Sequence, residues 1–330
     1  MGVSNSPNFQ IQVISATSLG ALAAGMSPGS MADFSVGNWN WDLIETGGGS
    51  TSLSYTNKGY WDPHDRIGYH FGSGHNPERG VHMRYIDSAN RFEDFSPPGV
   101  PPVQGPKHSY EHIAFQPRSG RKGVLYHWKK YSAIVERLDL ETNNWDRIAD
   151  IPGSNFQVAG GLEWFPELYG GSGGLVHVDS TRGVSTWNSS NNSWDRQPAP
   201  DMGPYHNFAT YLPDQRVVLF GGGNDSKAVH QIDANRNITT KRNSPYKIGV
   251  DRKGIFIAQS GKKPTLFSYD NRIWEYDHSA DTWINAGSHD LYTTANKNWV
   301  AGISIPDYSC ILFMLEKSTP LIKVYKFRSA

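Results

Sequence analysis

Apolar and polar positions recur along most of the chain in short runs rather than at helical spacing. Val135-Glu-Arg-Leu-Asp139 and Ile273-Trp-Glu-Tyr-Asp277 alternate with a period of two, the pattern of a strand with one buried face. Other runs are continuously apolar and sit just after a turn signal. The turns are Asp62-Pro63-His64-Asp65, Gln116-Pro117-Arg118-Ser119-Gly120, Phe165-Pro166-Glu167, Leu212-Pro213-Asp214-Gln215, Val250-Asp251-Arg252-Lys253-Gly254 and Ile305-Pro306-Asp307. Proline presets φ and aspartate caps its own turn, so such steps reverse the chain tightly. The runs that follow are Ile67-Gly-Tyr-His-Phe71, Val124-Leu-Tyr-His-Trp128, Leu168-Tyr169, Val217-Val-Leu-Phe220, Ile255-Phe-Ile257 and Ile311-Leu-Phe-Met314. Together they predict six hairpins.

A second ladder closes each unit with a large apolar residue: Trp41, Phe92, Trp145, Trp194, Ile238 and Trp283, at intervals of 51, 53, 49, 44 and 45 residues. Asn or Asp precedes several of them, as in Asn143-Asn144-Trp145 and Asp281-Thr282-Trp283. A repeat of 40–50 residues holding four short strands predicts a propeller blade. The expectation is therefore an all-β protein, a single six-bladed β-propeller of four-stranded blades. Trp41 precedes the first hairpin, and the chain ends on Lys323-Val-Tyr-Lys-Phe327, a third strand with no fourth after it. An N-terminal strand around Trp41 is thus expected to complete the last blade. A closed ring leaves no free sheet edge. Residues 37–330 form the propeller in this reading, and 1–36 an extended arm.

The run Pro204-Tyr-His-Asn-Phe-Ala-Thr-Tyr-Leu-Pro-Asp-Gln-Arg-Val-Val-Leu-Phe-Gly-Gly-Gly223 and the stretch from Asp139 to Pro152 resemble the Kelch family, which includes the galactose-oxidase-like propellers. The resemblance spans about residues 38–330. The double glycine of that family is present at Gly170-Gly171 and Gly221-Gly222 and absent near Trp128, Ala258 and Met314. The galactose-oxidase branch implies a copper site with a Cys-crosslinked Tyr. The one thiol here, Cys310, lies inside an apolar run and reads as a small buried hydrophobe.

Composition adds exclusions. With 31 Lys+Arg against 31 Asp+Glu the formal charge is zero, which argues against a nucleic-acid binder. One cysteine excludes an intramolecular disulfide framework. No apolar run approaches the length of a membrane-spanning helix. The zero is a composite: before Lys58 the only charges are Asp33, Asp42 and Glu45, so residues 1–57 are −3 and the remainder +3. Stretch 13–32 has the mild apolar core of a secretion signal but lacks its basic start. It reads as an arm that packs on a partner, with a frayed terminus as the alternative.

Candidate chemistry concentrates on the face formed by loops that enter each first strand or join second to third strands. That face is expected to collect His75, His108, Tyr205, His206, Asn224, Lys227, Lys262, Lys263 and Trp299. Trp128, beside Lys129-Lys130, stands where the family carries glycine and reads as an exposed anchor for a sugar or protein partner. The ladder residues read as packing. No His pair has metal-site spacing, and no cofactor is expected. Gly221-Gly-Gly-Asn-Asp is a turn rather than a phosphate loop, because no Gly-Lys-Ser/Thr follows. The four Asn-x-Ser/Thr triplets carry little weight.

Fold does not settle function. The leading expectation is a non-catalytic interaction or structural module, most concretely a virion or tail component held in an assembly through residues 1–36. The basis is the Ala/Gly/Ser-rich arm with Met26-Ser-Pro-Gly-Ser-Met-Ala32, which resembles arms of phage virion proteins. The alternatives are an extracellular glycan-binding or polysaccharide-lyase-type propeller and a Kelch adaptor. A lyase needs a Tyr or His base and cations for the uronate carboxylate.

Overall fold

The computed structural model describes residues 18–47, 50–72, 81–95, 110–129, 131–153, 156, 159–250, 252–292, 299–316 and 320–328. Six antiparallel four-stranded sheets follow one another along the chain, and the protein is a six-bladed β-propeller. Blade 1 is Lys58–Asp62, Ile67–Gly72, Val81–Ile86 and Arg91–Asp94; blade 2 is Ile113–Arg118, Arg121–Trp128, Val135–Asp139 and Asn144–Arg147. Blade 3 is Gly161–Phe165, Gly174–Asp179, Gly183–Asn188 and Ser193–Gln197; blade 4 is Asn207–Leu212, Val217–Gly222, Val229–Ile232 and Ile238–Lys241. Blade 5 is Ile255–Ile257, Thr265–Phe267, Arg272–Asp277 and Thr282–Ser288. Blade 6 takes Val300–Ile305, Cys310–Leu315 and Leu321–Lys326 from the C-terminal region and Met31–Asp33 from the N-terminal region.

That exchange closes the ring. Met31, Ala32 and Asp33 pair antiparallel with Tyr325, Val324 and Lys323. Asp33 also forms a 2.7 Å ion pair with Lys323. Blades 6 and 1 are further joined by parallel pairing of Gly302 with Lys58 and Ile303 with Gly59. Helix α1 (Ser18–Gly25) lies over this seam, with Leu19 and Ala23 buried in the blade 6–blade 1 core. Beside it the buried Asp87 carboxylate accepts hydrogen bonds from Arg66 at 2.6 and 3.0 Å and from the Tyr308 hydroxyl at 2.7 Å.

The closing strand differs from the one expected. Trp41 belongs to a helical turn, Trp41–Ile44, capped at its N-terminus where Asn40 Oδ1 accepts from Leu43 N at 3.0 Å. The turn buries Ile44 and leaves Trp41 39% exposed. The boundary drawn at 36/37 therefore cuts through the ring: α1 and the closing strand belong to the propeller body. The other ladder residues, Phe92, Trp145, Trp194, Ile238 and Trp283, all lie on fourth strands. Trp194 Nε1 donates to Ala149 O at 2.7 Å, and Trp283 Nε1 to Arg242 O at 3.3 Å. Each bond reaches back to the chain leaving the preceding blade, so these indoles tie neighbouring blades together.

Two hairpins are shifted. In blade 3 the stretch Leu168–Gly171 is a turn with Tyr169 at φ 53° and Gly170 at φ 70°, and the second strand begins only at Gly174. The Gly170-Gly171 pair thus precedes that strand, whereas Gly221-Gly222 ends one. In blade 5 Ile255–Ile257 is the innermost strand and Thr265–Phe267 the second. The reversal there is made by Gln259–Lys262, closed by Lys262 N donating to Gln259 O at 3.2 Å. It lacks a Pro-Asp signal, which is why the stronger Asp251-Arg-Lys-Gly254 pattern is misleading.

The core is six wedges, one between each pair of adjacent blades. Burial of both sheet faces explains the continuously apolar second strands. Cys310 sits in the blade 6–blade 1 wedge, where burial pushes its thiol up to about 12.

Candidate functional site

On the loop face the structure gathers several of the expected residues in blade 4. Tyr205, His206 and Asn224 share one corner of blade 4, where Asn224 N donates to Pro204 O at 2.8 Å and Gly203 N to Gly222 O at 2.9 Å. Tyr205 and His206 both adopt positive φ, 56° and 57°, which turns the Tyr205 ring outward to 42% exposure. Gly223 has φ 104°, and a Cβ there would lie 2.1 Å from Gly203 O; only glycine permits this approach. His206 turns inward onto the ring of Tyr110, centroids 5.3 Å apart. Tyr131, in the blade 2 loop of the same face, is 62% exposed.

Other expectations for this face fail. Trp128 is fully buried. Its Nε1 donates to Ser132 O at 2.8 Å, and its ring packs between His112 and His177, 4.3 and 4.4 Å away. The ring fills the gap above Gly160, where a Cβ would meet it at 3.1 Å, so it is an inter-blade filler and no anchor. Trp299 is 9% exposed and packs on Tyr55 at 4.3 Å. Lys262 and Lys263 fall on the opposite face, because the blade 5 hairpin is shifted. Lys227, in the same blade 4 loop as Asn224, does stay exposed on this face, its Nζ donating to Pro245 O at 2.8 Å. His75 and His108 lie outside the described residues. No group of three or more His, Cys, Asp or Glu among the described residues could hold a metal ion.

A concavity lies on the ring axis. A cavity of about 330 Å³ runs along the six innermost strands from Asn57, Glu111 and Gly302 down to Pro117, Pro166, Pro213 and Pro306. Pro117 and Pro306 are exposed, so the cup opens on the turn face. Its upper end is stoppered by the cluster of Tyr55, Tyr110, Ala159 and Val250. The walls carry Tyr60, Trp61, Phe115, Trp164, Tyr211 and Phe256. Beside the rim the Tyr211 hydroxyl donates to the Glu167 carboxylate at 3.0 Å.

At the closed end Lys58 reaches across the axis. Its Nζ donates to Glu163 Oε2 at 2.8 Å, Leu162 O at 3.2 Å and Ala209 O at 2.5 Å. Burial opposes the ammonium charge, but Glu163, Tyr60 and Glu111 outweigh it and hold the pKa above the ordinary lysine value. Tyr60 donates to Ile113 O at 2.7 Å; burial first, and then Glu163, raises its pKa. Glu111 is pushed up by burial, an effect only partly offset by Lys58. Sequence reading passed over these residues. The available signal was a lone acid in an otherwise apolar run, as in Gly161-Leu-Glu-Trp-Phe165, a strand buried throughout. An ionisable side chain in such a strand requires a partner.

No family model matches the chain, and no curated protein matches it. Among solved structures it is similar to a chain of the crystal structure of a nidogen/laminin complex, with 11% sequence identity, 70% of this chain and 79% of that chain covered, and a TM-score of 0.50. At that identity the likeness concerns the fold, and it agrees with the propeller. No helix among the described residues is long and apolar enough to cross a membrane.

Proposed function

We propose that the protein is a non-catalytic interaction module that presents the loop face of a rigid ring to a protein partner. The observation that carries this reading is the pair of exposed tyrosines, Tyr131 and Tyr205, on that face. Tyr205 is held outward by a left-handed backbone on a corner built around Gly203 and Gly223. Tyrosine supplies large contact area at low conformational cost, which is why it recurs at protein interfaces. The similar propeller comes from a structure of two proteins in complex. A sugar-stacking role for the same tyrosines is the extracellular alternative.

In its more concrete form the module belongs to a virion or tail assembly and is attached through its N-terminal segment. Helix α1 is packed into the blade 6–blade 1 core, so the chain before Ser18 departs from a fixed point on the ring. Native mass spectrometry of the protein recovered from its source tests both levels. The full chain is expected in a complex of defined stoichiometry. Deletion of residues 1–17 releases it, and Tyr131→Ala with Tyr205→Ala weakens a loop-face partner without unfolding the ring. A full-length chain recovered only as the free 36.7 kDa protein would overturn the reading.

A further inference from the structure

The charges at the closed end of the axial cup do not balance. Two carboxylates, Glu111 and Glu163, face one ammonium. All three Nζ protons of Lys58 are committed, to Glu163 and to the carbonyls of Leu162 and Ala209. Glu111 Oε2 lies 3.4 Å from Nζ and receives no hydrogen bond. The Asn57 carboxamide lies near enough to Glu111 to favour its charged form, but its Nδ2 and Oδ1 and Glu111 Oε2 make no hydrogen bond of good geometry. Both side chains line the cup, and the two residues are only 4% and 3% exposed. A buried carboxylate and carboxamide left short of partners are costly unless something supplies them.

The shape narrows the choice. Calcium and magnesium take six or more oxygen ligands, and zinc takes four ligands that include His or Cys. The walls here are largely aromatic, with no group of three or more His, Cys, Asp or Glu among the described residues that could hold a metal ion. An anion would find Lys58 already engaged. A neutral apolar molecule would leave Glu111 unsatisfied. An organic ammonium answers all three features: its N–H groups meet Glu111 and Asn57, its charge balances the second carboxylate, and its body lies among Tyr60, Trp61, Phe115 and Trp164. Aromatic faces attract cations through their quadrupole. The volume of about 330 Å³ is at the small end of ligand sites.

We propose that the axial cup is a binding site for a small primary organic ammonium with a flat apolar body, its head held by Glu111 and Asn57. The site is distinct from the loop face and does not rest on the reading given for that face. The titratable groups facing Glu111 are Lys58 and Tyr60 from blade 1 and Glu163 from blade 3. Burial raises the Glu111 pKa, so protons compete with the ammonium, and binding weakens as the pH falls.

Trp61 and Trp164 line the cup, so tryptophan fluorescence of the full chain, with calorimetry alongside, reads occupancy. The probes are benzylammonium, benzyl alcohol and benzoate. A charge-assisted hydrogen bond is worth about 1.5–3 kcal/mol, so benzylammonium is expected to bind about tenfold or more tightly than the alcohol, with benzoate not binding. Glu111→Gln should remove that preference. In the wild-type protein the preference should also shrink as the pH is lowered and the carboxylate protonates, which burial makes easier than for an exposed glutamate; a preference that does not change with pH would count against the assignment even if the variant does not fold. Equal affinity for ammonium and alcohol, or no saturable binding of benzylammonium, would overturn the assignment.

Discussion

Lys58 Nζ and Glu163 Oε2 meet 2.8 Å apart although 105 residues separate them and all of blade 2 intervenes in the chain. The pair joins the innermost strands of blades 1 and 3 across the axis. Replacing Lys58 with methionine keeps most of the apolar stem but leaves Glu163 and Glu111 without their shared cation. Breaking a buried pair on one side costs about 3–5 kcal/mol. Urea unfolding is expected to show a loss of that order; a loss under about 1 kcal/mol would mean that the pair behaves as an exposed one.

Trp128 offers a clean separation of packing from binding. Its ring is fully buried between blades 2 and 3. Trp128→Ala should cost about 3–5 kcal/mol by denaturant titration, whereas Tyr205→Ala on the surface should stay within about 0.5 kcal/mol. Similar midpoints for the two variants would contradict this placement.

The closing strand gives a pair of truncations with opposite outcomes. Removing residues 1–17 leaves α1 and the closing strand Met31–Asp33 in place, so hydrogen exchange across Leu321–Lys326 should stay at the level of the intact chain. Removing 1–36 deletes α1 and Met31–Asp33, frees the edge at Leu321–Lys326 and exposes the core under Leu19. Hydrogen exchange should then accelerate across Leu321–Lys326, and the longer truncation should aggregate through its open edge. Equal protection in both truncations would show that the ring closes without the N-terminal strand.

Acid should unfold the ring early. Burial lowers His70, His82, His177 and His289 to about 4 and His127 to about 3. An unfolded imidazole titrates near about 6.5. Between those values the unfolded chain binds more protons than the folded one, so stability falls as the pH falls. It is full above about pH 6.5 and is lost progressively toward about pH 4. Glu111, raised by burial, acts in the opposite sense but is a single group against these histidines, to which His278, also lowered by burial, adds. Calorimetric melting at intervals across this range should show the midpoint dropping continuously; a flat profile between about pH 6.5 and about pH 4.5 would contradict neutral burial of these rings.

How far the primary structure reaches depends on the range of the interactions involved. Blade number, strand type and most hairpins were legible because each blade is built from neighbouring segments. Pro213-Asp214 followed by Val217–Phe220 encodes its own reversal and its own buried strand. In the fifth blade two turn patterns compete, and only the pairing of Ile255–Ile257 with Thr265–Phe267 decides which hairpin forms. Trp41 kept the spacing of the ladder, yet the local cap at Asn40 turned it into a helix and left Met31–Asp33 to close the ring.

The axial cup lay beyond any such reading. Lys58, Glu111 and Glu163 are single charged residues in three separate strands, and nothing local marks them as partners. Circular closure brings the six innermost strands around one axis, and the resulting burial makes each charge depend on the others. Local hydrogen bonding and turn stereochemistry thus specified the blades. The seam, the buried Trp128 and the charge imbalance around Glu111 arise only from contacts between residues far apart in the chain.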